Sequence, residues 1–353
     1  MTGALHLARP EILALAPYAH AEWDPALVRL HANENPWRSE ADRSRDGLNR
    51  YPEPQSSALI QRLACLYGVE PDRVLVGRGS DEGIDLLVRT FCAAGRDRVV
   101  VCPPTFAMYR FAADVQGAAV SEVPLDAARG FDLDVTALKA ACDPTVKLVF
   151  LCSPNNPTGN RFPDDAVREV LDALAGRAIV VVDEAYVEFA EGPSLVDWLA
   201  AYPHLVILRT LSKAYGLAGA RCGAVLAAAD VIGLLRRVIP PYALTVQSIE
   251  SVLDALHPDR LEAVRARVAA IRAERTRMLE GLARIPLVEQ VWPSQANFLL
   301  VSSRDAGRLL QAGIRGGLLV RDVRRQPALE RCLRITIGSP EQNDRLLESL
   351  GAA

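Results

Sequence analysis

The sequence predicts an α/β protein in which a mostly parallel sheet is covered by helices on both faces, followed by a smaller α+β unit. Three observations carry this. Short β-branched runs alternate with helix-length segments from Ser56 to about Thr210, and that alternation stops after Pro240 and Pro241. The chain's 353 residues, 50% hydrophobic and 24% charged, are also enough to bury a large core.

The runs are Val74–Val76, Arg98–Cys102, Ala119–Val123, Leu148–Cys152, Ile179–Val182 and Leu205–Leu208, with helix-like segments such as Glu82–Cys92 and Asp164–Leu174 between them. That order is the signature of parallel strands joined by helical crossovers. Downstream, Arg260 to about Ala283 places Leu261, Val264, Val268, Ile271, Met278 and Leu282 on one helical stripe, interrupted at Arg275. About three heptads is short for a coiled coil, so a scaffold helix packed on a core is expected. Asn297–Val301 and Leu333–Ile337 supply strands for the smaller unit. The expected division is an amino-terminal arm over 1–30 that packs with the small domain, a large domain over 31–240 and a small domain over 241–353.

Lys+Arg 40 against Asp+Glu 43 leaves a net charge of −3, which recruits neither nucleic acid nor an anionic membrane. The longest apolar run, Ala224–Ala229, falls far short of a membrane span, and the first residues lack the pattern of a secretory signal. A soluble, cytoplasmic protein is expected. Seven cysteines without C-x-x-C spacing and five unclustered histidines suit reduced thiols and no metal site.

Lysine occurs only at Lys139, Lys147 and Lys213, the other 37 basic residues being arginine. A lysine retained among so many arginines is a candidate for amine chemistry that guanidinium cannot do. Lys139 and Lys147 have ordinary settings, one in a helix-like stretch and one before an apolar run. Lys213 follows the run Leu205–Leu208.

Ligands of such sheets gather at the carboxyl ends of the strands. Four segments stand there: Gly77-Arg78-Gly79-Ser80-Asp81-Glu82, Ser153-Pro154-Asn155-Asn156-Pro157-Thr158-Gly159, Asp183-Glu184-Ala185-Tyr186, and Ser212-Lys213 with Arg221 eight residues on. Each alone has an ordinary explanation, as a turn, a helix cap or a surface charge. Together they describe one site. A phosphate would sit on a helix N-terminus, Ser212 and Arg221, an aromatic cation would be balanced by Asp183, and an amine would stand at Lys213. Pyridoxal 5′-phosphate fits that description.

SPNNPTG, VVDEAY, TLSKAYGLAGARCG and LRITIG resemble the motifs of the fold-type I pyridoxal-phosphate-dependent aminotransferases. HANENP, RYPEPQ, GRGSDEGIDLLVRTFC, CPPTFAMY and AYPHLVILRTLSKA narrow the resemblance to the class II-like histidinol-phosphate aminotransferase family, over about residues 12 to 340. The resemblance implies that Lys213 bonds to the cofactor and shuttles a proton, that Asp183 pairs with the ring nitrogen and stays ionised, and that Asn156 and Tyr186 bind its phenolic oxygen. It implies that Ser212, Arg221 and the backbone at Ser80 and Asp81 hold the phosphate, with Phe106 stacking where relatives often have tyrosine. Tyr51 matches a tyrosine that reaches the neighbouring subunit's cofactor, which implies a homodimer with shared active sites.

The same resemblance makes Arg334 and Arg321 the arginines that bind the anionic end of substrate. A guanidinium fork suits carboxylate and phosphate alike, as two unlike substrates, histidinol phosphate and glutamate or 2-oxoglutarate, would require. Tyr18 and Asn33 belong to the amino-terminal part expected to close over substrate, with Glu34 beside Asn33. An aromatic amino-acid aminotransferase, or a decarboxylase of a phosphorylated amino acid, would use the same catalytic set.

Overall fold

The computed structural model describes residues 4–18 and 27–353. The first sheet contains β1 (Val74–Gly77), β2 (Arg98–Val101), β3 (Ala119–Glu122), β4 (Val146–Cys152), β5 (Ile179–Asp183), β6 (Leu205–Thr210) and β7 (Gly223–Ala227), in the order β1-β7-β6-β5-β4-β2-β3. Strands β2 to β6 pair in parallel, while β7 runs antiparallel to both β1 and β6. Successive strand residues point to opposite faces, and here both faces are buried. Val180 and Val182 enter one core with Val149, Leu151 and Ile207, whereas Ile179 and Val181 enter the other with Leu148, Phe150, Val206 and Leu208. That is why these runs are apolar throughout.

The helices are α1 (Pro10–Ala14), α2 (Ser57–Tyr67), α3 (Ser80–Phe91), α4 (Met108–Gln116), α5 (Val135–Ala141), α6 (Asp164–Leu174), α7 (Ala229–Val238), α8 (Val246–Ala255), α9 (Pro258–Ala283), α10 (Ala306–Arg315) and α11 (Pro340–Gly351). Among the described residues, none is long and apolar enough to cross a membrane.

The second sheet is antiparallel, ordered β10-β11-β9-β8, from β8 (Val288–Val291), β9 (Phe298–Ser303), β10 (Arg321–Asp322) and β11 (Cys332–Thr336). One face buries Leu299, Val301, Leu333 and Ile335 with Met278 and Leu282 of α9 and Leu346 of α11. Its other face carries Leu300 and Cys332 into the core of the first sheet, and Arg334 follows Cys332 by two residues on that face.

The long helix is the scaffold element expected, and its interruption has a purpose. Arg275 is buried and donates from Nη1 to the carbonyls of Phe189 at 3.0 Å and Ala296 at 2.8 Å, tying α9 to loops of both sheets. The amino-terminal arm, expected to pack with the small domain, lies instead on the large sheet's flank. Ala4, Leu7, Ala8 and Ile12 join the core of Leu87, Phe91 and Leu234, and Arg237 of α7 donates to the carbonyls of Ile12 and Leu13. The apolar spacing of that segment finds its complement on α3 and α7. Residues 1–3 and 19–26 of the arm lie outside the described residues.

Candidate active site

The central strands β4, β5 and β6 end side by side, and their loops open into a cavity of about 360 Å³. It is lined by Ser80, Asp81, Phe106, Asn156, Asp183, Tyr186, Ser212, Lys213, Arg221, Arg321 and Arg334, among others. Eleven of the residues singled out in the sequence thus meet in one place. They come from both sheets.

Asp183 ends β5 and is 3% exposed. Its Oδ1 accepts from the Ala185 N–H at 3.1 Å and its Oδ2 from the Tyr109 hydroxyl at 2.8 Å. Burial pushes its pKa up to about 6, against those two donors. Among the described residues no protein cation pairs with it.

Lys213 follows β6, accessible through the cavity, with Nζ 5.8 Å from the centre of the Tyr186 ring. The surrounding protein, then the charges of Arg334 and Arg221, draw its pKa below the ordinary lysine value, while Asp81 and Asp183 oppose. Asn156 donates from Nδ2 to the Tyr186 hydroxyl at 3.4 Å, and burial raises the pKa of that phenol. The Tyr186 ring meets Phe298 of the second sheet edge-on, centroids 5.1 Å apart.

An anion cradle lies at the start of α3. Gly79 caps the helix at φ 84, a left-handed conformation that favours glycine, and the next N–H groups are free of helical partners. Arg221, itself at φ 50, donates to Ser212 Oγ at 3.5 Å and pairs with Asp81 at 3.3 Å. Such backbone strain in a non-glycine residue costs about 1 kcal/mol or more and is common where a side chain must be aimed. Gly223 admits this geometry: a Cβ there would stand 2.7 Å from both Gly79 C and Ser80 N.

The second sheet contributes its arginines as cross-strand neighbours. Arg321 and Arg334 are register partners, and like charges placed opposite one another favour an anion between them. Tyr51, Tyr18 and Asn33 are not brought here within one chain. Tyr51 stacks on Tyr242, centroids 4.5 Å apart, beside a separate cavity that Asn33 also lines. Tyr18, 65% exposed, borders a third groove with Pro17 and Gln55.

The sequence model for class I and II aminotransferases matches residues 28–350. The chain belongs to this family. It is 49% identical over 351 residues to a histidinol-phosphate aminotransferase of Xylella fastidiosa, covering 98% of this chain and 96% of that protein. A histidinol-phosphate aminotransferase of Stenotrophomonas maltophilia is 47% identical over 352 residues, covering 99% and 96%. Among solved structures, the histidinol-phosphate aminotransferase of Sinorhizobium meliloti in complex with pyridoxal 5′-phosphate superposes with a TM-score of 0.78 at 26% identity, covering 86% of this chain and 83% of that one.

As a class I and II aminotransferase the chain is a pyridoxal-phosphate enzyme. The donor set fits that cofactor: an anion cradle, an amine, an aromatic ring at Phe106 and a buried carboxylate without a protein cation occupy one cavity. Sequence reasoning missed Tyr109, whose hydroxyl reaches Asp183, and Asn155. Asn155 donates to the Pro104 carbonyl at 2.9 Å and accepts from Thr105 at 2.9 Å, joining the loop after β2 to the loop after β4.

Proposed function

We propose that this aminotransferase exchanges an amino group between L-histidinol phosphate and 2-oxoglutarate, giving imidazole acetol phosphate and L-glutamate, in histidine biosynthesis. The observation that carries this reading is 49% sequence identity, over 98% of the chain, to a histidinol-phosphate aminotransferase. The paired Arg321 and Arg334 support it, since one guanidinium pair can take the phosphate of one substrate and a carboxylate of the other.

Pyridoxal phosphate, when bound, supplies an aldehyde that bonds to amines and a ring that withdraws electrons from the substrate carbon. Lys213 Nζ would hold the cofactor at that aldehyde and would take the proton from the carbon bearing the amine, a task for which a lowered pKa suits it. Asp183 would keep the ring nitrogen protonated. Asn156 and Tyr186 would bind the phenolic oxygen, Phe106 would cover the ring, and Ser212, Arg221 and the N–H groups of Ser80 and Asp81 would hold the phosphate.

The protein acts as a cytoplasmic homodimer in which Tyr51 enters the neighbouring copy's site. Its place outside the chain's own cavity supports this, as do the exposed apolar side chains Leu27, Val28, Leu30, Trp37 and Leu48 around it in sequence. Free cysteines, six of seven buried, suit the reducing compartment. The two sheets support a large and a small domain. Leu244, Ile249, Val252 and Leu256 join the core of the first sheet, however, so α8 goes with the large domain and the expected boundary at 240/241 moves beyond it.

The test is glutamate production by the cofactor-loaded protein. Formation that needs both histidinol phosphate and 2-oxoglutarate is expected. Carbon dioxide release without a keto acid, or turnover confined to phenylalanine and tyrosine, would contradict it.

A further inference from the structure

Tyr109, in the first turn of α4, is fully buried, and its hydroxyl donates to Asp183 Oδ2 at 2.8 Å. The ring lies flat on Phe150 of β4, centroids 4.8 Å apart and planes 7° from parallel, and meets the Phe106 ring edge-on at 5.7 Å. The helix that carries it starts just after the loop that Asn155 clamps through Thr105 and Pro104. The phenol is therefore held from three sides.

The two oxygens of Asp183 are not held alike. Oδ1 is bound by Ala185, two residues along the same loop, and moves with it. Oδ2 is bound by a different element. A carboxylate with a donor on each oxygen cannot swing about its terminal torsion, and a donor at a buried carboxylate favours the charged form. The other groups facing Asp183 act the opposite way or weakly: Asp81 of α3 and neighbouring Glu184 raise its proton affinity, and the buried Cys152 thiol of β4 stays neutral. Lys213 is the nearby amine, with Arg334 and Arg221 beyond it.

We propose that Tyr109 is a positioning residue for transamination, whose hydroxyl keeps the Asp183 carboxylate charged and in one orientation toward the cofactor ring. This rests on the reading of Asp183 as the partner of the ring nitrogen. Phe106 covers the ring while Tyr109 acts through the carboxylate, so one short segment, Phe106-Ala107-Met108-Tyr109, governs both the face and the edge of the cofactor. Tyr109 is not among the residues that line the cavity.

The experiment compares the parent, Tyr109→Phe, Asp183→Asn and the double variant as full-length proteins freed of cofactor, measuring the dissociation constant of pyridoxal phosphate against pH by absorbance. Phenylalanine keeps the stack on Phe150. The ligand's own titrations are common to all four proteins. In the parent, affinity should fall as pH drops through the Asp183 midpoint near 6. In Tyr109→Phe that fall should begin about one pH unit higher, with kcat lowered about tenfold and the amino-donor KM nearly unchanged, the size of one hydrogen bond to a charged group. In the Asp183→Asn background the hydroxyl should make no further difference. A Tyr109→Phe midpoint equal to the parent's, with Asp183→Asn flattening the pH dependence, overturns the role of Tyr109 alone. An Asp183→Asn profile identical to the parent's overturns the reading of Asp183, and this proposal with it.

Discussion

Arg334, on the second sheet, donates from Nη1 to Oδ1 of Asn156, on the loop after β4 of the first, at 2.5 Å. Two residues that line the same cavity are thus tied together across the two sheets. Arg334 Nε is buried with no partner, so a fork that is half engaged still has donor capacity to spend. Replacing Arg334 by Ala should lower kcat/KM for histidinol phosphate and for glutamate together, by about ten- to a hundredfold each, the worth of a charge-assisted hydrogen bond. Arg334→Lys should recover little, since an ammonium lacks the fork. Steady-state kinetics with both substrates checks this, and a loss for one substrate only would separate their anion sites.

Lys213→Ala should abolish turnover and leave the fold intact, because its side chain lines a cavity rather than filling a core. Far-ultraviolet circular dichroism reports the fold. Mixing this variant with an inactive Tyr51→Ala protein, after reversible dissociation, should restore about a quarter of parent activity, since half of randomly formed dimers then carry one intact site of two. No recovery would place Tyr51 outside the neighbouring site.

Asp183 sets a pH dependence in the cofactor-free protein whose sign is the reverse of an ion-paired carboxylate. Its folded pKa, about 6, lies above the ordinary aspartate value of 3.8, so the folded state binds the proton more tightly. Stability therefore falls as pH rises from about 4 to about 6 and is level above that. At pH 7 the cost of holding the carboxylate charged in this buried place has a ceiling of about 3 kcal/mol. Cofactor-free Asp183→Asn should unfold at higher temperature than the parent at pH 7, and the gap should close below about pH 4. Equal melting temperatures at pH 7 would mean that the carboxylate has no such burden.

Gly223→Ala should damage the anion cradle without touching a ligand-binding side chain. The added Cβ would press on backbone at Gly79, Ser80 and the Arg209 carbonyl, none of which is a flexible side-chain end. Overpacking of this kind costs about 1–3 kcal/mol. The expected result is weaker pyridoxal-phosphate affinity, tenfold or so, read by equilibrium titration. Affinity equal to the parent's would show that the α3 terminus tolerates the shift.

Asp183 and Lys213 are legible in the sequence because they follow apolar runs, where a charged residue at a strand's carboxyl end stands out: Asp183 after Val182, Lys213 after β6. The six parallel-sheet runs all became strands of the first sheet, within a few residues of their expected ends. Gly223–Ala227 was not read as a strand, because what makes it one is insertion between β1 and β6, a tertiary fact. Arg321–Asp322 is two exposed residues with no period to detect. Tyr109 sits on the buried face of an amphipathic helix, so its pattern is that of a core residue and only the geometry separates it from one. Arg275 was noticed as a break in a stripe, and its carbonyl partners lie 86 and 21 residues away.

The most direct measurement follows the near-visible absorbance of the cofactor-loaded protein while histidinol phosphate is added without a keto acid, and 2-oxoglutarate afterwards. Loss of the band of the lysine-bound cofactor with the first addition, and its full return with the second, together with one glutamate per site, is the expected result. A band that does not respond to histidinol phosphate but is lost on adding phenylalanine or a phosphorylated amino acid would contradict the assignment of substrate.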